Sequence, residues 1–157
     1  MEDLSLHLLD VAENGLAAGA DHIEIRIVEE TGKDLMTIEI KDDGSGMDKQ
    51  ALKGALDPFY TTKPNKQVGL GLPLLDQAAR EAAGDMDIQT APGQGTLIRA
   101  TFQLSHPDLK PLGDILETLA ILAYGHPNVQ FSFEHQRDGT SICCWDSIES
   151  TKQTRTK

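Results

Sequence analysis

A chain of 157 residues with 39% hydrophobic and 25% charged residues is composed like a soluble globular protein, one domain or a domain with an appendage. Its formal net charge of -11 argues against nucleic acid and acidic membranes as partners, since both attract clustered cations, but leaves local phosphate sites open. No apolar run approaches the roughly 20 residues that span a bilayer, and Glu2 and Asp3 stand where a signal peptide carries positive charge, so a cytoplasmic location is expected.

In chain order, Leu4, Leu8, Val11 and Gly15 form one seam, which predicts a helix over 3–18 with Asp3 as N-cap and Gly19 as C-cap. Residues 22–30 and 35–41 alternate apolar and polar and predict two strands joined by a turn. Asp48 caps a short helix over 48–56, and a helix over 72–83 carries Pro73 in its first turn and ends at Gly84. Strands over 85–90 and 96–104 are joined by Ala91-Pro92-Gly93-Gln94-Gly95.

The texture changes at 105–111, which reads as a linker. Leu112, Ile115, Leu116, Leu119 and Leu122 then put an apolar seam on a helix over 112–124. Two strands flank Arg137-Asp138-Gly139, where Asp-Gly suits a tight hairpin turn. Their Phe131, Phe133 and Trp145 need a surface to lean on, because a lone hairpin is marginal in water. Cys143 and Cys144 are adjacent, fall on opposite strand faces, and are expected to be reduced packing residues. The organisation expected is a main domain over 1–104, an α-β-β appendage over 105–147, and a disordered polar tail over 148–157. The appendage is expected to pack on the main domain, as a structural cap or as a surface for a partner or a second copy.

Four short stretches carry chemistry. Asp10 and Asn14 share a helix face, flanked by His7 and Glu13. A carboxylate with an amide oxygen suits a hard cation such as Mg²⁺; taken alone, the pair also fits an ordinary solvated face. In Asp42-Asp43-Gly44-Ser45-Gly46-Met47 the glycines let backbone approach a flat ligand, and a buried carboxylate there can accept from an exocyclic amino group. A plain strand-end turn is the alternative. In Phe59–Leu75 a polar run precedes Gly69 and Gly71, with no strand before them. Thr96 opens a strand with a hydroxyl able to reach a ring nitrogen or water. A dinucleotide-binding loop is excluded by the missing preceding strand, third glycine and ribose-binding acid, and no Gly-Lys-Ser/Thr is present for a P-loop.

In this order the stretches resemble the GHKL ATP-binding superfamily of gyrase, heat-shock chaperones, histidine kinases and MutL, closest to the histidine-kinase catalytic domain in a stand-alone form, over 3–104. Glu13–Ala20 is similar to the N box, which implies Asn14 as the Mg²⁺-ligating asparagine. Residues 42–47 resemble the first glycine box, with Asp42 recognising adenine, and 57–63 the F box. Val68–Leu75 resembles the second glycine box, and Gly95–Phe102 the strand carrying the adenine-side Thr96. The resemblance implies an α+β fold: a two-layer α/β sandwich with a mixed sheet, the Bergerat fold. It also implies ATP and Mg²⁺ as cofactors, and an ATP-binding set of Asn14, Asp42, Gly44, Gly46, Met47, Thr62, Lys63, Gly69, Leu70, Gly71, Leu72 and Thr96. In this fold the segment before Gly69 and Gly71 is a lid over the triphosphate, so order in 47–68 is expected to depend on nucleotide. Gly69 and Gly71 would bring backbone N–H groups to phosphate at the helix start.

Two departures bear on the reaction. Asp10 stands where related ATPases and anti-sigma-type kinases carry a glutamate base and histidine kinases often carry asparagine. Aspartate keeps a base but reaches about 1.5 Å less far, and Glu13 is the runner-up. Ala18 replaces a polar residue common in histidine kinases, and a stand-alone form without a phosphoacceptor helical hairpin before the first helix is expected. Asp10 is therefore the catalytic candidate of a stand-alone protein kinase acting on a partner protein. The alternatives are an ATP/ADP-sensing regulatory module with little turnover and a slow ATPase.

Overall fold

Strand parity decides which side of the sheet the helices cover. In the computed structural model, which describes residues 3–56 and 71–147, Ile23, Ile25, Ile27 and Glu29 of β1 (His22–Glu30) are buried while alternate residues face water. Met36, Ile38 and Ile40 of β2 (Leu35–Asp42) and Thr96, Ile98, Ala100 and Phe102 of β4 (Thr96–Gln103) follow the same rule. With β3 (Met86–Thr90), β5 (Gln130–Arg137) and β6 (Thr140–Asp146) they form one six-stranded sheet of order β3-β4-β2-β1-β5-β6. The sheet is mixed as expected: β1 runs parallel to β5, and the other neighbours are antiparallel.

The inner face is covered by α1 (Leu4–Ala17), α3 (Gly71–Glu81) and α4 (Ile115–Gly125), while α2 (Lys49–Leu56) packs on α3. This is the two-layer α+β arrangement. The bare face is wet because one transverse row alternates in charge across the strands. Asp87, Arg99, Glu39, Arg26 and Glu134 are successive register partners, with ion pairs of 2.8 Å for Arg99–Glu39 and 3.6 Å for Arg26–Glu134. Among the described residues no helix is long and apolar enough to cross a membrane.

Residues after 104 contribute to the same core as those before it. Ile115, Leu119, Leu122, Phe131 and Phe133 are buried in one cluster with Leu4, Leu8 and Ile25. The hairpin is bound to β1 by more than the ladder: Glu29 is buried against His135 and accepts from Arg137 Nη2 at 3.2 Å. Burial would raise the Glu29 carboxyl, but the hydrogen bonds and charges of His135 and Arg137 together hold it below the usual glutamate value. Asp138 and Gly139 both have positive φ, the two-residue turn foreseen from Asp-Gly. Cys143 is half-buried and Cys144 exposed, both reduced.

Two boundaries differ from the sequence reading. The helix expected over 112–124 begins at Ile115, because Gly113 has φ of +75° and Asp114 caps, accepting from Glu117 N at 2.9 Å. Leu112 is thereby free of the helix, and its carbonyl accepts from Ser5 N at 3.0 Å, beside Pro111 O accepting from Leu4 N at 2.8 Å. The 111–112 backbone thus satisfies the first amides of α1. At the end of α3 the left-handed residue is Ala83, with φ of +62°, and not Gly84. Gly84 is required for a different reason: a Cβ there would overlap the Thr101 carbonyl.

Candidate functional site

The inner face of the sheet is not covered completely. Between α1, α2, the start of α3 and strands β2 and β4 lies a cavity of about 390 Å³. Its walls are apolar, from Val11, Ala55, Leu72 and Ile98, and among the described residues its polar side chains are Asn14, Asp42 and Thr96. The three polar groups come from three elements that only the fold brings together.

Asp42 is the last residue of β2 and keeps the inward parity of Met36, Ile38 and Ile40. Its carboxylate accepts from Gly44 N at 2.9 Å. Burial raises its pKa above the usual aspartate value and the adjacent Asp43 charge adds to this, against the opposing Gly44 hydrogen bond. The remaining lone pairs suit a donor entering the cavity. A side chain at Gly15 would crowd this carboxylate, since a Cβ would lie 3.1 Å from Asp42 Oδ2. Asp43 points away and accepts from Asp21 N at 2.8 Å and His22 N at 3.0 Å, which fixes the turn between α1 and β1.

The loop after Asp42 is stitched down on both sides. Ser45 N donates to Ala18 O at 2.9 Å, and Gly93 N donates to Ser45 O at 2.6 Å. At Gly44 a Cβ would lie 2.9 Å from Ala18 Cβ. Gly46 has φ of +72°, and a Cβ there would overlap the Ala91 carbonyl. The loop is therefore clamped between the end of α1 and the β3–β4 turn, and it delivers Met47 to the cavity wall. Ala18, a departure from the expected pattern, serves as the close-packed partner of Gly44 and also lines the cavity.

At the other end, Asn14 lines the cavity and Asp10 lies one helical turn before it. Gly71, the first residue of α3, is packed against Asp10: a Cβ on Gly71 would lie 2.6 Å from Asp10 Cβ. Asp10 thus stands at the N-terminus of an 11-residue helix, where backbone N–H groups and the helix dipole favour anions. Glu13 is exposed and does not line the cavity. His7 is buried at 2% exposure.

The structure brings together Asn14, Asp42, Gly46, Met47, Leu72 and Thr96 around one cavity, with Gly44 beneath the loop and Asp10 and Gly71 side by side. Thr62, Lys63, Gly69 and Leu70, with most of the 47–68 segment, lie outside the described residues; 49–56 is helical, and Asp48 accepts from Ala51 N at 2.8 Å. The sequence reading did not single out Thr90. It ends β3 as the register partner of Thr96, on the inward parity of Met86 and Ile88, and a threonine at that parity was the available signal. Among the described residues no group of three His, Cys, Asp or Glu side chains is placed to hold a metal ion.

Residues 2–106 match the family described as histidine kinase-, DNA gyrase B-, and HSP90-like ATPase. The signal transduction histidine-protein kinase AtoS of Escherichia coli (strain K12) is 35% identical over 108 residues, 68% of this chain and 17% of that protein. Sporulation kinase C of Bacillus subtilis (strain 168) is 30% identical over 96 residues, 61% of this chain and 22% of that protein. The matched region thus spans about a fifth of the length of these curated relatives. Among solved structures, the Aquifex aeolicus MutL ATPase domain complexed with ADP superposes with a TM-score of 0.58 and 17% identity over 97% of this chain and 69% of that one. The N-terminal domain of a DNA repair protein superposes with a TM-score of 0.64 and 16% identity, covering 92% of this chain and 53% of that one. At these identities the two structures establish the fold alone.

Proposed function

The chain belongs to the histidine kinase-, DNA gyrase B-, and HSP90-like ATPase family, and from that premise we propose that it binds ATP in this cavity and passes the γ-phosphate to a partner protein. The observation that carries the reading is the pairing of a donor-seeking Asp42 at one end of the cavity with Asn14 at the other, one helical turn from Asp10, which packs against the start of α3. A base, sugar and phosphate chain laid along that line would meet chemistry suited to each part.

In this reading Asp42 accepts from the exocyclic amino group of adenine, and the apolar walls from Val11 and Leu72 hold the ring. The first amides of α3 hold phosphate oxygens. Asp10 takes the proton of the partner's attacking group as its bond to phosphorus forms and the bond to the ADP oxygen breaks. Asn14 is the side chain that would hold Mg²⁺. A single amide oxygen with Asp10 nearby fits an ion that completes its octahedron with phosphate oxygens and water, as Mg²⁺ commonly does. Bound there, the ion would offset phosphate charge. We place the protein in the cytoplasm, with a protein phosphoacceptor or regulatory partner and a possible homodimer as its associations.

The short reach of Asp10 favours a second reading, an ATP/ADP-responsive module with little turnover or a slow ATPase. One experiment separates them: γ-labelled ATP incubated with the protein and a cell lysate, with and without Asp10→Asn. Label on a lysate protein that vanishes with Asp10→Asn supports the kinase. Tight binding without transfer or hydrolysis overturns it in favour of the sensor, and release of free phosphate without transfer favours the ATPase.

A further inference from the structure

Thr96, on the cavity wall, forms with Thr90 behind it a hydroxyl pair whose proton directions are fixed by counting. Thr90 Oγ1 lies 3.0 Å from Met47 N, 3.0 Å from Gly95 O and 2.9 Å from Thr96 Oγ1. Met47 N–H can only donate and Gly95 O can only accept. A threonine hydroxyl has one proton and two lone pairs. The arrangement that satisfies all three contacts has Thr90 donating to Gly95 O while accepting from both Met47 N–H and Thr96 Oγ1–H. The Thr96 proton is then turned toward Thr90, and Thr96 faces the cavity as an acceptor. Reaching a ring nitrogen would require the opposite direction.

We infer that Thr90 is a positioning residue for base selection: by drawing the Thr96 proton inward, it makes Thr96 a second acceptor beside Asp42 and tunes the slot to a base that presents an amino group. The inference rests on the nucleotide reading above. Thr96 is only 9% exposed and opens β4 as the register partner of both Thr90 and Asp42, so its hydroxyl has little freedom to turn elsewhere. Thr90 also accepts from the backbone of Met47, so the same oxygen that orients Thr96 anchors the cavity wall. At position 6 an amino purine offers two protons, one for each acceptor, whereas a 6-oxo purine offers only lone pairs there and carries its added proton on N1.

The test is calorimetry of the full chain with ATP and with inosine triphosphate, both with Mg²⁺. The wild-type chain prefers ATP. Thr90→Val keeps shape but removes the acceptor, so the Thr96 proton turns into the cavity and the preference falls about tenfold, the scale of one neutral hydrogen bond. Thr90→Ser restores the preference. In a Thr96→Val background, Thr90→Val produces no further change in the ratio, because its effect passes through Thr96. A folded Thr90→Val protein with an unchanged ratio overturns the inference, and so does equal weakening of both ligands, which would make Thr90 a loop anchor alone. Should Thr90→Val not fold, Thr90→Ala carries the same expectation. A wild-type chain that binds neither triphosphate overturns the nucleotide reading and this inference with it.

Discussion

The two ends of the cavity are built by different means. At Asp42 the position of each group is fixed by backbone: Ser45 and Gly93 amides hold the glycine loop, Met47 is tied to Thr90, and Gly46 and Gly95 occupy left-handed conformations where side chains would overlap carbonyls. At Asp10 what the described residues supply is close packing between two helices, Gly71 at the start of α3 against Asp10 of α1. On the proposed reading the base end is thus set before a ligand arrives, while the phosphate end depends on how α1 and α3 sit against each other. A flat, rigid base rewards a fixed slot, whereas a transferred group needs a site that accommodates its change of charge and position.

The sharpest way to break the contrast is at the rigid end. Gly46→Ala would force a methyl into the Ala91 carbonyl at a φ of +72°, costing about 3 kcal/mol by the combined strain and overlap. Denaturant unfolding should show a lower midpoint, and calorimetry little nucleotide binding; an unchanged midpoint would show that the loop is not clamped. Asp42→Asn should weaken MgATP binding by about 2 kcal/mol, since it removes one side of a charge-assisted contact. The same change should raise thermal stability at neutral pH. The folded-state pKa of Asp42 is raised, so its protonated form is the one folding favours, and that contribution is lost as pH rises through the folded value. Removing the charge removes that loss, and a fall in the midpoint would contradict the assignment.

At the other end, Gly71→Ala should leave the base slot intact and separate α1 from α3, with a smaller overpacking cost of roughly 1–2 kcal/mol. Its signature should be slower phosphate transfer or hydrolysis with weaker triphosphate binding but an unchanged preference for ATP over inosine triphosphate; a changed preference would mean the two ends are not independent. The smallest effect is expected at Asp43. Its carboxylate is held below the usual aspartate value by the His22 amide first and the Asp21 amide next, against some burial. That stabilisation is present above the ordinary carboxylate pKa of about 4 and is lost as pH falls through the lower folded value. Asp43→Asn should therefore flatten the acid limb of a stability–pH profile, and a profile identical to wild type would remove the turn-fixing role.

Much of this site is readable from residues alone. Asp42, Gly44 and Gly46 stand at a strand end where parity and glycine content mark them, and Asn14 follows Asp10 by one helical turn. Thr90 is different. Its role depends on facing Thr96 across an antiparallel pair and on Met47 arriving from a third element, and no local pattern contains that meeting. In the sequence Gly84 reads as an ordinary helix end and Gly113 falls inside an expected helix, yet the first is demanded by the Thr101 carbonyl and the second by Asp3, one close at hand on the sheet and the other from the far end of the chain.

By itself, then, the sequence determined the elements, the buried side of each strand and the order of the motif residues, because side-chain parity and turn chemistry are properties of neighbouring residues. Only the tertiary structure decided that β5 lies parallel to β1 and continues the sheet, that α4 joins the core of α1, and that the 111–112 carbonyls close the start of the helix bearing Asp10 and Asn14. Each of those choices pairs segments about a hundred residues apart, where the partner is selected by which apolar faces and unpaired backbone groups remain to be buried together, and no short stretch of chain holds that information.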